Sequence, residues 1–225
     1  MTPRTPTPAP SATSGRTPAA EVEAAVLDAA ERLVADAGPA ALTIRKLATD
    51  AHVAPMSIYN RFGDKAGVLE ALFTRGFEEL HGHTGATDLI GGDPSAAEAL
   101  DRLRTCARSY RSFATRSPGT YSLMFDRAAA DFEPTDAALE VAGRSFNALV
   151  DLVAQAQRAG ALVGGSPAEV AQRLWASLHG AVSLELRSIC FVDDTDAHFD
   201  ALVDTLLIGM APDRGIPGIA DVVNP

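Results

Sequence analysis

The stretch Thr43-Ile44-Arg45-Lys46-Leu47-Ala48, followed after a short turn by Ser57-Ile58-Tyr59-Asn60-Arg61-Phe62-Gly63-Asp64-Lys65, constrains this chain more than any other part of it. Thr43 suits an N-cap, because its hydroxyl can accept from an orphan N–H of the first turn, and Ile44, Leu47, Ala48 and Ala51 follow helical spacing on one inward face. Pro55 fits the first turn of a second helix, where a missing N–H removes no bond. Ile58 and Phe62 lie four apart and face inward, which leaves Met56, Ser57, Tyr59, Asn60 and Arg61 pointing outward. Asp64 caps a third helix that opens at Lys65. Two short helices so arranged set the second one against a DNA groove, with Thr43, Arg45, Pro55, Met56, Ser57, Tyr59, Asn60, Arg61 and Lys65 as the candidate DNA-facing set. The alternative is a helical core with incidental polar residues.

Capping, inward spacing and outward polarity together resemble the TetR family of repressors, whose pattern is close to T-[VI]-R-x-[LI]-A, a short turn, then L-Y-x-H-F-x-x-K-x-x-L. The resemblance runs roughly from Glu21 to Leu80. Two positions depart from it. Arg61 stands where the family usually has His, which keeps a phosphate contact with altered geometry. His52 stands where the bend commonly has Gly, and a side chain in the left-handed conformation costs on the order of 1 kcal/mol.

The net charge is −10, which at first argues against DNA, since Lys and Arg supply most non-specific affinity. Its distribution reverses that argument: residues 1–75 hold eight basic and eight acidic side chains, so the whole deficit lies in residues 76–225. The chain's two lysines, Lys46 and Lys65, both fall on the proposed DNA face. A modestly basic face on an acidic body suits a site-specific binder with weak non-specific attraction.

Hydrophobic residues make up 47% and aromatics 6% of the 225 residues. The Ala- and Leu-rich bias, with no strand alternation between turn signals, gives an all-α fold. No apolar run approaches the ~20 residues that a membrane span needs, and the N-terminus lacks the apolar core of a signal peptide, so a cytoplasmic protein with no membrane partner is expected. Cys106 and Cys190 have no metal-type spacing and read as buried free thiols, with a disulfide or redox switch as the alternative.

Residues 1–20 contain five prolines and no acidic group and read as a disordered arm; contact of this arm with the minor groove is left open. Residues 21–66 form the helix-turn-helix unit, its first helix carrying Val22, Val26, Leu27, Ala30, Leu33 and Val34 and ending near Gly38-Pro39. Residues 67–210 form a larger helical domain, and 211–225 a flexible tail. Within the larger domain a helix runs to about His83 and a long one begins at Asp93-Pro94. Ser117-Pro118-Gly119 interrupts it before a short apolar helix, another runs from the kink at Glu133-Pro134 to Arg158, and the last two span roughly Pro167 to Val192 and Asp196 to Met210.

Trp175-Ala176-Ser177-Leu178-His179-Gly180 resembles the W-x-x-x-H-G signature of one TetR C-terminal subgroup. Trp175 and His179 share a helix face, and Gly180 allows a close helix approach or a recess beside them. Two readings stand for the pair: ligand contacts, or packing residues with His179 bonded to a backbone carbonyl. Tyr110, Phe113, Tyr121, Met124, Phe125, Phe146, Trp175 and His179 supply aromatic and polarizable surface with few charges, the candidate lining for a small apolar or amphipathic effector. The family resemblance implies a homodimer on a palindromic double-stranded operator, released by such an effector, with the last two helices pairing across the dimer. The apolar stripe with Phe199, Leu202, Leu206 and Leu207 is the candidate interface.

No catalytic or metal constellation emerges, and no cofactor is implied. Glycine-rich phosphate loops, nucleophile elbows and H-E-x-x-H are missing. His81 and His83 point in different directions on a helix, Asp193, Asp194 and Asp196 read as helix capping, and Ser177, His179 and Glu185 cannot converge from one helix. The runner-up reading is a helical small-molecule-binding protein or enzyme using the second-domain cavity, its DNA-binding domain vestigial.

Overall fold

The computed structural model describes residues 18–85, 89–126 and 132–212, so the expected N-terminal arm and C-terminal tail lie almost wholly outside the described residues. Over the described residues there are nine α-helices and no strand: α1 Ala19–Ala37, α2 Ile44–Asp50, α3 Pro55–Phe62, α4 Lys65–Thr84, α5 Ala96–Arg116, α6 Pro118–Phe125, α7 Asp136–Arg158, α8 Pro167–Leu186 and α9 Thr195–Gly209. The larger of the two folding units follows the smaller along the chain, as the all-α reading required.

Local chemistry sets most of the boundaries. Thr43 accepts from the Lys46 N–H at the start of α2, and Asp64 accepts from the Gly67 N–H at the start of α4. Ser95 and Ser166 each form a reciprocal capping box, with Glu98 and Glu169 respectively, satisfying two orphan donors apiece. Two helices end in left-handed residues other than glycine. His52 at φ 54° lets Val53 N–H reach the Ala48 carbonyl after α2, and Ser188 at φ 55° lets Ile189 N–H reach the Leu184 carbonyl after α8. Both are Schellman closures. The second one ends α8 at Leu186, short of the expected Val192, and leaves Ile189, Phe191 and Val192 exposed.

Two apolar cores result. The first joins Val26, Leu27, Val34, Leu42, Leu47 and Ile58 to Val68, Leu69 and Leu72 of α4 and Leu123 of α6. The second takes Phe73, Phe77 and Leu80 from the same α4, with Leu103, Tyr110, Phe113, Leu152, Leu174 and Leu178 from the surrounding helices. Helix α4 is therefore shared between them, and a boundary at residue 66 falls ahead of three residues that complete the first core.

The seating of α9 corrects one expectation. Arg104 pairs with Asp204, Arg108 with Asp200 and Arg111 with Asp196, each at 2.7 Å, an antiparallel register that fixes α9 along α5. Arg111 also chelates Glu185 of α8 and lies 5.4 Å over the Phe199 ring. Phe199 and Leu207 are thereby turned into their own subunit's core, each 2% exposed. Neither side chain lies on the outer face where the sequence stripe placed it. Leu202 and Leu206 remain half-buried, and Leu184 of α8 and Ile208 of α9 are exposed.

A close helix approach occurs between α1 and α6 and not at Gly180, which is exposed with open space where a side chain would start. A methyl group at Gly119 of α6 would lie 2.5 Å from Ala35 Cα and 2.6 Å from Ala35 N on α1. An ionic cluster reinforces this seam: Arg75 of α4 bonds Asp28 and Glu31 of α1 as well as Glu79, and Thr120 of α6 donates to Glu31. Gly119→Ala is expected to destabilise the fold by about 1–3 kcal/mol, the usual cost of forcing extra volume into a packed contact. Gly82→Ala, on open ground in α4, is the control and is expected to be neutral or stabilising. Denaturant melts compare them, and wild-type stability of Gly119→Ala would mean that α1 and α6 are not held together.

Candidate DNA interface and effector cavity

The first functional surface is built by α2 and α3. Leu47 and Ile58 are fully buried between them, which fixes the angle at which α3 projects. Pro55 opens α3, and Met56, Tyr59 and Asn60 stand exposed along it, Met56 at 64%. Ser57 is half-buried. Arg45 is exposed on α2 and its guanidinium makes no hydrogen bond or ion pair among the described residues, whereas Lys46 reaches back to the Ala41 carbonyl at 3.4 Å. Lys65 sits half-buried at the start of α4. Thr43 has its hydroxyl engaged as the α2 cap.

Arg61 is the exception. Its guanidinium is paired with Glu23 of α1, a residue 38 positions away that sequence reasoning did not connect to this face. One of the basic charges expected on the DNA face is thus compensated inside the protein.

The second surface is internal. A cavity of about 310 Å³ opens between α4, α5, α7 and α8, lined by Phe77, Leu80, Thr84, Cys106, Tyr110, Phe125, Ala142, Gly143, Ser145, Phe146, Leu149, Gln172, Trp175 and Leu178. Of the expected lining, Tyr110, Phe125, Phe146 and Trp175 are there. Phe113 and Met124 are instead buried in the core, Met124 against Gly76. Tyr121 and His179 sit behind the wall as a polar relay. Tyr121 OH is 2.7 Å from both Tyr110 OH and His179 Nδ1, and His179 Nε2 is 3.4 Å from Ser183 Oγ. Side-chain hydroxyls thus stand where the packing reading of His179 had a backbone carbonyl. Burial holds the His179 imidazole below its usual value and pushes the Tyr110 phenol up to about 12, so the relay is neutral. The imidazole also stacks on Tyr121 at 5.6 Å and meets Phe125 edge-on at 5.1 Å.

Most of the lining was not distinguishable in sequence from ordinary core, since Phe77, Leu80, Leu149 and Leu178 follow the same helical spacing as residues that pack solidly. Gly143 is the one available signal: a side chain there would project into open space, so its smallness enlarges the cavity. Elsewhere, Asp194 caps α9 by accepting from Ala197 N–H, His83 accompanies Arg116, and among the described residues no group of acidic, His and Cys side chains could hold a metal. Cys106 is buried and Cys190 only partly so, both as free thiols.

Helix α6 joins the two surfaces. Leu123 enters the first core, Tyr121 and Met124 the second, and Phe125 lines the cavity.

The comparisons follow the same division. Residues 26–72 match the family profile for bacterial regulatory proteins of the tetR family, and residues 103–206 match that for the tetracyclin repressor-like C-terminal domain. No curated protein sequence matches the chain. Similar solved structures include a protein with unknown function from Rhodococcus sp. RHA1, 24% identical with TM-score 0.74 over 89% of this chain and 99% of that one. The fatty acid degradation regulator FadR from Bacillus halodurans is 19% identical, with TM-score 0.67 over 83% and 98%. The TetR family transcriptional regulator PfmR from Thermus thermophilus is 14% identical, with TM-score 0.63 over 84% and 99%. At these identities the structures establish a shared fold. The two profiles, one on each core, establish descent: the chain belongs to the TetR family of transcriptional regulators.

Proposed function

We propose that this regulator is a cytoplasmic homodimeric repressor, acting by binding and not by catalysis, which a small, largely apolar effector releases from a palindromic operator. The observation that carries this reading is the placement of α6, with Phe125 on the cavity wall and Leu123 in the core of the DNA-binding unit. A ligand that moves Phe125 moves α1 with it, because α6 has no slack against Ala35. Weakening operator binding a hundredfold requires about 2.7 kcal/mol of coupling between the two sites.

On the DNA side, Arg45 reads a base edge, Met56, Ser57 and Asn60 enter the groove at the start of α3, and Tyr59, Arg61 and Lys65 hold phosphates. Arg45→Ala is expected to weaken specific binding by about 1–3 kcal/mol with little effect on non-specific DNA; equal loss on every sequence would make it a phosphate contact. Glu23→Gln frees Arg61 from its ion pair. It should tighten binding to all DNA and steepen the salt dependence by about one phosphate contact, whereas an unchanged slope would remove Arg61 from the phosphate set.

Homodimerisation through the outward faces of α8 and α9 uses Leu184, Leu202, Leu206 and Ile208, while Phe199 and Leu207 support them from within. Charges placed on an apolar interface oppose association, so the double substitution Leu184→Glu with Leu202→Glu is expected to give folded monomers by sedimentation. Dimers persisting at micromolar concentration would place the interface elsewhere.

The effector is tested by filling its site. Gly143→Leu places a side chain in open space on a helix, so it should retain stability and operator affinity while abolishing release by compounds that release the wild type. Operator DNA selected from a random library, with release followed by electrophoretic shift, provides the measurement. Undiminished release from Gly143→Leu would show that the cavity is not the effector site.

A further inference from the structure

The space beside Gly180 opens away from its own subunit, and a side chain started there would meet nothing. Gly180 shares the exposed face of α8 with Ala176 and Leu184, four residues to either side. With so little side chain at Ala176 and Gly180, this face admits the backbone of another helix. By itself it is a thin anchor. A stable interface buries about 800 Å² on each partner, and its energy is concentrated in a few large, mostly aromatic side chains.

The larger apolar surface lies just past the end of α8. Ser188 turns the chain out of the helix, and Ile189, Phe191 and Val192 follow at 46%, 96% and 41% exposure. Three large apolar side chains within four residues, left in water, mark a surface that is covered in the working molecule. At the other end of α8 an open groove is lined by Phe146, Val163, Ala168 and Arg173. Phe146 and Gln172 line both this groove and the effector cavity, so the groove adjoins the cavity rim. Patch and groove are a helix length apart, about 30 Å for the 20 residues of α8, so within one subunit neither covers the other.

A two-fold axis brings them together. In a contact between identical surfaces, residue i meets j of the partner and j meets i. If two copies of α8 cross antiparallel at Gly180, residues equally far from it in opposite directions face each other: Leu184 meets Ala176, and Phe191 comes level with Glu169 and Ala168 on the groove wall. This crossing also opposes the two helix dipoles favourably. Asp193, exposed two residues past Phe191, brings a carboxylate toward the Arg173 guanidinium, while Arg187, level with Arg173, is turned to Asp126 of its own subunit at 2.9 Å. A parallel crossing would set Phe191 against its own copy and leave the groove empty. Granting the homodimer reading above, we propose that Phe191 of each subunit seats in the groove of the other and completes the rim of that subunit's effector cavity.

The test uses the full chain carrying Cys190→Ser, which removes the free thiol next to Phe191. Phe191→Cys and Ala168→Cys are combined in it. A disulfide needs Cα atoms within about 7 Å, so a bridge between positions separated by the length of α8 forms only between subunits. Mild oxidation is expected to give a covalent dimer from the double variant and none from either single variant. Dimers by sedimentation that yield no bridge would overturn the seating, and so would a covalent dimer of Phe191→Cys alone, which would mean that the two loops meet on the axis. In the otherwise native chain, Phe191→Ala is expected to raise the dimer dissociation constant at least about tenfold, as loss of an aromatic anchor does. At concentrations where both proteins are dimeric, it should also increase acrylamide quenching of Trp175, the chain's single tryptophan, on the cavity wall. An unchanged dissociation constant or unchanged quenching would overturn the proposal. A wild-type chain that sediments as a monomer would refute the homodimer itself, whereas a dimer without the bridge refutes only this seating, so the two failures are separate.

Discussion

The contact between Gly119 and the backbone of Ala35 is the constraint on which the rest of the architecture depends. With no Cβ at Gly119, α6 lies directly on α1, and an eight-residue helix comes to serve two cores at once. Pro118 at the first position of α6 and the Ser117 break after α5 set its direction, and the Arg75 and Thr120 bonds to α1 fasten the seam laterally. These exposed and half-exposed ion pairs each contribute little by themselves. The apolar contact supplies the rigidity, and the charges select the register.

A comparable division of labour governs α9. Its apolar positions are too numerous to be buried on one side, and the ladder of Arg104, Arg108 and Arg111 with Asp204, Asp200 and Asp196 decides which of them turn inward. Phe199 goes in beneath the Arg111 guanidinium, and Leu202 and Leu206 are left on the flank. Sequence periodicity marked the stripe correctly as apolar but could not orient it, because the orienting charges come from α5, about a hundred residues away.

What was legible in the sequence was local. Caps at Thr43 and Asp64, Pro at the first turn of α3 and the bend at His52 are decided within a few residues, and the helix-turn-helix unit follows from them. The end of α8 was missed for a local reason of another kind, since Ser188 adopts the left-handed conformation usually left to Gly or Asn. The pairing of Glu23 with Arg61, the inward turn of Phe199 and Leu207, and the cavity wall all depend on tertiary placement. A lining residue such as Leu149 differs from a packed one such as Leu152 only in what happens to lie opposite, which periodicity does not record. Counting charges over residues 1–75 includes both Arg61 and Glu23 but does not reveal that they pair.

The energetics of the proposed switch are within reach of this geometry. The 2.7 kcal/mol needed for a hundredfold effect corresponds to about 110 Å² of apolar surface buried in one state and not in the other, at 25 cal/mol per Å². That is less than one large aromatic side chain presents, so a modest displacement of Phe125 against Phe77, Trp175 and a ligand is sufficient. Helix α6 is short and packed on two sides, so such a displacement is passed to α1 instead of being absorbed by bending. Closely packed contacts resist gradual deformation, which makes a change between two discrete seatings of α6 on α1 the economical response to a filled cavity. The neutrality of the relay behind the cavity fits the same requirement: Tyr110, Tyr121 and His179 are mutually satisfied without charge, so the wall can shift as a unit without exposing an unpaired buried ion.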